Sequence, residues 1–127
     1  MSESRGYNGN PLIKDDGVVQ EYTEHELNEY IKCSQDPAYF CKTYLKIIHV
    51  DHGLVPFELY PYQDEMFKQF KDNRFNIVLA ARQAGKSVGV CGWLCWRALF
   101  HSVKTLAILA NKGATAREML GRITLML

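Results

Sequence analysis

The stretch NIVLAARQAGKSVGV, residues 76–90, decides which fold the sequence predicts. It continues the run FNIVLA, residues 75–80, which is apolar apart from Asn76 and is typical of a buried parallel strand. A turn containing glycine follows, and the pattern then predicts a nearly all-apolar helix from Ser87 to about His101. A second apolar run, KTLAILA at residues 104–110, predicts another buried strand. Strand, helix and strand make a βαβ unit, whose strands are expected to be parallel and joined by a right-handed crossover.

The segments around this unit carry signals of helices. Thr23 followed by Glu26 fits a capping box, and Asp36 with Pro37 fits an N-cap and a first helical residue. The two remaining helices are predicted at about Pro61–Asp72 and at Ala114 to about Met126.

Composition limits the class of protein. A chain of 127 residues, 47% hydrophobic and 23% charged, is long and apolar enough for one globular domain. The net charge of +1 means that a phosphate-bearing partner would have to bind at a local basic patch. The longest apolar stretch, Val88–Phe100, is too short to span a membrane and contains Arg97.

Four cysteines are present, and no two of them form a C-x-x-C pair. Without a secretory segment, this usage predicts reduced thiols in a cytosolic setting. The cysteines are Cys33, Cys41, Cys91 and Cys95.

The octapeptide AARQAGKS, residues 80–87, is compared with the phosphate-binding pattern G-x-x-x-x-G-K-[ST]. Gly85, Lys86 and Ser87 match, whereas Ala80 replaces the first glycine. In such a loop the backbone N–H groups surround the phosphates, the lysine reaches the β and γ oxygens, and the hydroxyl binds Mg²⁺. The alternative is a Gly-Lys-Ser turn that joins a strand to a helix and binds nothing.

Three further side chains are candidates for nucleotide contacts. Arg82 could neutralise a γ-phosphate as an arginine finger, or it could be a solvated or carboxylate-paired loop residue. Upstream, Tyr62 offers a ring face and Gln63 an amide that could read an adenine edge. The alternative for this pair is an exposed helix start.

These segments together resemble the large terminase subunit of tailed bacteriophages, of the myovirus type, which is the ATPase that packages the genome. The resemblance runs from about Tyr22 to Leu127. It rests on DPAYFCKTYLKIIHVDHG, on YPYQ as a Q motif, on the altered Walker A segment ARQAGKS, and on ILANKGATAREML. Terminases commonly lack the first glycine and have an arginine in this loop, so Ala80 and Arg82 agree with the family.

The resemblance implies ATP and Mg²⁺ as cofactors, with Lys86 and Arg82 as catalytic residues and Ser87 as the Mg²⁺ contact through the nucleotide. It also implies double-stranded DNA, the small terminase subunit and the portal protein as partners, a homo-oligomer of the full-length protein, no membrane, and a place in the host cytoplasm outside the virion. The nucleotide-binding residues would be Tyr62, Gln63, Ala80, Ala81, Arg82, Gln83, Ala84, Gly85, Lys86 and Ser87.

We therefore expect an α/β fold, namely a partial P-loop (RecA-like) NTPase core with parallel strands, preceded by a helical N-terminal segment. Residues 1–21 would be a flexible tail, and residues 22–127 the first part of the ATPase domain. That part divides into a helical lead-in, residues 22–73, and a βαβα unit, residues 74–127.

The family also needs an acidic strand end, and after Leu109 the only carboxylate side chain is that of Glu118. The chain is therefore expected to be an N-terminal fragment that binds nucleotide weakly and does not turn over. Two alternatives stay open, a helicase-like P-loop translocase and a non-hydrolysing interaction module made by truncation. Basic residues near the end could face DNA or form a solvated helix face; they are Lys112, Arg117 and Arg122.

Overall fold

The computed structural model describes residues 7–10, 13–82 and 84–127. Within these residues the chain forms five α-helices, two short strands and one 3-10 turn at Tyr7–Gly9. In chain order the elements are α1 Glu24–Gln35, α2 Pro37–Tyr44, β1 Lys46–His49, β2 Gly53–Pro56, α3 Pro61–Asp72, α4 Lys86–Phe100 and α5 Gly113–Met126.

The predicted α/β fold with parallel strands is wrong. In the described residues the only sheet is the antiparallel pair β1–β2, with Lys46 opposite Pro56 and His49 opposite Gly53. Neither 75–80 nor 104–110 is a strand. A buried parallel strand needs a hydrogen-bonded neighbour and apolar cover on both faces, and no strand of the described chain lies beside either run. Ile77 and Leu79 are accordingly 99% exposed.

The β1–β2 hairpin lies in a segment that sequence reasoning left irregular. Ile47 and Ile48 precede the connection and Val55 follows it, and such β-branched residues favour strands. Gly53, which begins β2, has a positive φ of 69°, a conformation that glycine adopts without strain. A glycine-containing turn between two β-branched runs was the signal for this hairpin.

The predicted helix starts are confirmed. At α1, the Glu26 N–H donates to Thr23 Oγ1 at 3.2 Å, and the Thr23 N–H donates to Glu26 Oε2 at 2.8 Å. At α2, the carboxylate of Asp36 accepts from the two N–H groups that follow Pro37. The bounds of α3 are those predicted for the third helix.

Helix α4 lies at the centre of the helical packing and contacts α2, α3 and α5. Its side chains Cys91, Cys95 and Trp96 are buried in one core cluster with residues of the other helices. Gly92 permits the closest approach, because a Cβ atom there would lie 2.6 Å from Cε1 of Phe57. The apolar character of α4 on nearly all sides is therefore explained by neighbours on several sides.

The predicted tail, residues 1–21, is described only in part, because residues 1–6, 11 and 12 lie outside the described residues. Every described residue before α1 is exposed. The division into a tail and an ATPase domain stays a prediction. None of the five helices in the described ranges combines the length and apolar character that a membrane span requires.

Candidate functional site

The turn from Ala80 to Gly85 leads directly into α4, which begins at Lys86. The turn is not part of a continuous helix, and it reaches solvent, since Ala81 and Arg82 are exposed. Ala80 and the residues from Ala84 to Ser87 are half-buried. Gln83, predicted to bind nucleotide, lies outside the described residues.

Gly85 is the N-cap of α4 and has φ 84° and ψ 15°. This left-handed conformation is strained for residues with a Cβ atom. A Cβ at this position would also lie 3.0 Å from Nε2 of Gln63 and 3.4 Å from the hydroxyl of Tyr62. Backbone conformation and packing therefore both favour glycine next to the lysine.

Two side chains from the first turn of α3 hold this turn. The amide Nε2 of Gln63 donates to the carbonyl oxygen of Gly85 at 2.8 Å, and the Tyr62 hydroxyl donates to the carbonyl oxygen of Ala84. Gln63 is only 1% exposed, and its Oε1 accepts the N–H of Tyr60 at 2.9 Å. The structure thus brings the predicted Q-motif residues onto the predicted phosphate turn.

One residue of this arrangement was missed by the sequence reasoning. A Cβ at Gly89 would lie 2.7 Å from Cε of Met66 and 3.5 Å from Cγ of Gln63. Gly89 therefore lets α3 approach α4 closely enough for the Gln63 amide to reach the turn. The signal was the four-residue spacing of Gly85 and Gly89, which places both on one helix face.

The N-terminal end of α4 is electrostatically suited to an anion. This helix has 15 residues, no side-chain N-cap hydrogen bond and no acidic residue in its first turn. Among the described residues, no group accepts a hydrogen bond from the backbone N–H groups of residues 85–88. The macrodipole and these N–H groups would both stabilise negative charge placed there.

Two cationic side chains belong to the same turn. Lys86 donates from Nζ to the carbonyl oxygen of Ala80 at 3.2 Å, which brings its ammonium group back across the turn. Arg82 is exposed. Within the described chain, neither residue has a carboxylate at salt-bridge distance. Of the alternatives for Arg82, carboxylate pairing is therefore not seen in this part of the chain, and solvation and phosphate contact remain.

An open groove of about 510 Å³ adjoins the turn. Tyr62 and Ala80 line its end beside the turn, and Phe70 and Phe75 line it further along α3. A nucleoside attached to phosphates on the turn would have space there. The adenine contacts predicted for Tyr62 and Gln63 stay predictions.

Other polar candidates lie apart from this turn. His49 and His52 stack with ring centroids 4.9 Å apart, whereas Cys41 is buried in the core. Among the described residues, no three His, Cys, Asp or Glu side chains are grouped so that they could hold a metal ion. On α5, Arg122 pairs with Glu118 at 3.0 Å.

A comparison with known protein families found no family model that matches the chain.

Proposed function

We propose that the turn from Ala80 to Ser87 binds the triphosphate of ATP together with Mg²⁺. One observation carries the proposal: the uncapped start of α4 presents N–H groups without partners in the described chain, beside an ammonium group that has no carboxylate partner there. A triphosphate supplies the negative charge and the acceptor oxygens that this arrangement lacks.

Each residue of the motif has a role that fits its position. Lys86 would exchange its contact with the Ala80 carbonyl for the β and γ oxygens, because a charged acceptor binds an ammonium group more strongly. Ser87, half-buried in the first turn of α4, would place its hydroxyl on Mg²⁺. Arg82, exposed at the rim, would contact the γ-phosphate. Bound Mg²⁺ would neutralise charge on the phosphate oxygens.

We propose further that the chain belongs to the ATPase motor of a viral DNA-packaging terminase, which moves double-stranded DNA into the prohead. The support is the resemblance of YPYQ, ARQAGKS and the flanking segments to that family. The small terminase subunit, the portal protein and further copies of the motor are the proposed partners, in the host cytoplasm.

For the described chain on its own we propose binding without turnover. Hydrolysis needs a carboxylate to hold Mg²⁺ and another group to orient water. Glu118, the only carboxylate side chain after Leu109, is paired with Arg122 in α5. Phosphate release from ATP should therefore stay at the background rate while binding is measurable.

The test is calorimetric titration of ATP and Mg²⁺ into the wild-type chain and into Lys86→Ala. Loss of one charge-assisted phosphate contact should weaken binding by about 1.5–3 kcal/mol, or roughly tenfold to a hundredfold. Lys104→Ala is the matched control, because it removes the same charge from an exposed position beyond the far end of α4. Equal affinity of wild type and Lys86→Ala would refute the phosphate site.

A further inference from the structure

Two consecutive carbonyl groups of the turn are held from the same side. The oxygen of Ala84 accepts from the Tyr62 hydroxyl, and the oxygen of Gly85 accepts from Nε2 of Gln63 at 2.8 Å. The Gly85 oxygen also accepts the first helical hydrogen bond of α4, from the N–H of Gly89 at 3.0 Å. Helix α3 thus determines the orientation of two successive peptide planes.

The orientation of these planes determines where their N–H groups point. In a planar trans peptide the C=O of one residue and the N–H of the next point in opposite directions. With the carbonyls of Ala84 and Gly85 directed towards α3, the N–H groups of Gly85 and Lys86 are directed away from it. A left-handed residue followed by a right-handed helical residue brings successive N–H groups into a concave anion site.

Gln63 is poorly placed to read a base while it holds the turn. Its side chain is 1% exposed, its Oε1 accepts from the N–H of Tyr60, and its Nε2 donates to Gly85. Both ends of the amide therefore already have protein partners. Tyr62 is partly exposed, but its hydroxyl is bonded to the turn in the same way.

From this geometry we propose that Tyr62 and Gln63 are positioning residues, which set polyphosphate affinity by orienting the peptide planes at Ala84 and Gly85. The inference rests on the proposed phosphate site and specifies what that site recognises. The ligand class is a Mg²⁺-bound triphosphate, bound largely without regard to the base. ATP, GTP and inorganic tripolyphosphate should all depend on these two side chains to the same degree.

The experiment compares these three ligands, each with Mg²⁺, by calorimetric titration. Tyr62→Phe removes the hydrogen bond to Ala84 and keeps the ring, and it should weaken all three ligands by the same factor, roughly three- to tenfold. Gln63→Met removes the amide at similar length and should have a parallel effect. Tyr60→Phe is the matched control, because this neighbouring tyrosine makes no hydroxyl hydrogen bond in the described chain and should keep wild-type affinity.

Two readouts separate positioning from a general loss of stability. Phe67→Leu, a substitution in the buried face of the same helix, should lower the free energy of unfolding without changing the affinity of the folded protein. Tyr62→Phe should shift the backbone amide resonances of Gly85 and Lys86 in the absence of ligand, whereas Phe67→Leu should leave them near their wild-type positions.

A loss confined to ATP, with GTP and tripolyphosphate unchanged, would overturn the inference and assign the two side chains to the base. Unchanged binding of all three ligands by Tyr62→Phe and folded Gln63→Met would also overturn it. Both results leave the phosphate site intact, provided that Lys86→Ala still weakens binding. If Lys86→Ala binds all three ligands like wild type, the phosphate site fails and this inference fails with it.

Discussion

The indole N–H of Trp96 donates a 2.8 Å hydrogen bond to the carbonyl oxygen of Cys33, 63 residues earlier in the chain. Cys33 lies in the last turn of α1, and the residue four positions later is Pro37, which has no N–H. The carbonyl therefore cannot have the usual helical partner, and a side chain from α4 supplies the donor. This bond connects the central helix to the junction between α1 and α2.

Replacing Trp96 with Phe should lower the free energy of unfolding by about 1–3 kcal/mol, because a buried carbonyl is left without its donor. Urea unfolding followed by circular dichroism measures the change. Trp93→Phe is the control, since the half-buried Trp93 makes ring contacts but no indole hydrogen bond within the described chain. A loss no larger than that of Trp93→Phe would show that the hydrogen bond contributes little.

Two glycines within helices should respond to alanine in opposite directions. At Gly92 the new Cβ would lie 2.6 Å from Phe57, so Gly92→Ala should destabilise the protein by roughly 1–3 kcal/mol through overpacking. Gly121 has nothing within 4 Å of such an atom, so Gly121→Ala should stabilise α5 by about 0.5–1 kcal/mol. Thermal unfolding of both variants measures the difference, and a shift in the same direction for both would contradict this packing.

The carboxylate of Glu29 accepts hydrogen bonds from Tyr39 at 2.9 Å and from Tyr44 at 3.0 Å. These bonds, that of Tyr39 first, lower the pKa of Glu29 below its ordinary value. Because the folded pKa lies below the unfolded one, the stabilisation is complete above the unfolded pKa and is lost as pH falls through the folded pKa. Glu29→Gln should therefore destabilise the protein near neutral pH, and the gap to wild type should narrow in acid.

Urea unfolding of wild type and Glu29→Gln at neutral pH and at about pH 3 tests this dependence. The double variant Tyr39→Phe/Tyr44→Phe, which removes both donors, should reproduce the effect. A stability gap that stays constant over this pH range would argue that the two hydroxyl bonds do not favour the charged carboxylate.

All four cysteines are buried and free. Burial raises the pKa of Cys33, Cys41 and Cys91, and it raises the pKa of Cys95 to about 11. Since the thiolate is the reactive form, iodoacetamide at pH 8 should label the native protein slowly and the urea-unfolded protein fully. Mass spectrometry of timed samples measures the labelling, and rapid modification of one native thiol would identify it as more accessible than this core allows.

The exposure of Ile77 and Leu79 distinguishes the observed fold from the one first predicted. The double substitution Ile77→Ser/Leu79→Ser should change the free energy of unfolding by no more than about 0.5 kcal/mol per site. The matched core substitution Leu45→Ala, at a side chain that is 1% exposed, should cost about 2–5 kcal/mol. A comparable loss from the double variant would mean that the run 75–80 is buried in solution.

Local signals in the sequence were sufficient for most of the helices. Thr23 and Asp36 cap helices through contacts that span only a few residues, so their effect is visible without knowledge of the rest of the chain. The same holds for the turn before Lys86, where Gly85 adopts the conformation that its neighbours require. Residue type and spacing therefore predicted where α1, α2, α3 and α4 begin to within a residue or two.

The sequence by itself thus determined the helix starts and the position of the candidate phosphate turn, because capping and turn formation depend on neighbouring residues. Only the tertiary structure decided that the runs 75–80 and 104–110 are not strands, since a strand exists only where another segment pairs with it. The tertiary structure also decided that Gln63 lies buried on the turn, because that contact joins α3 to a carbonyl 22 residues away.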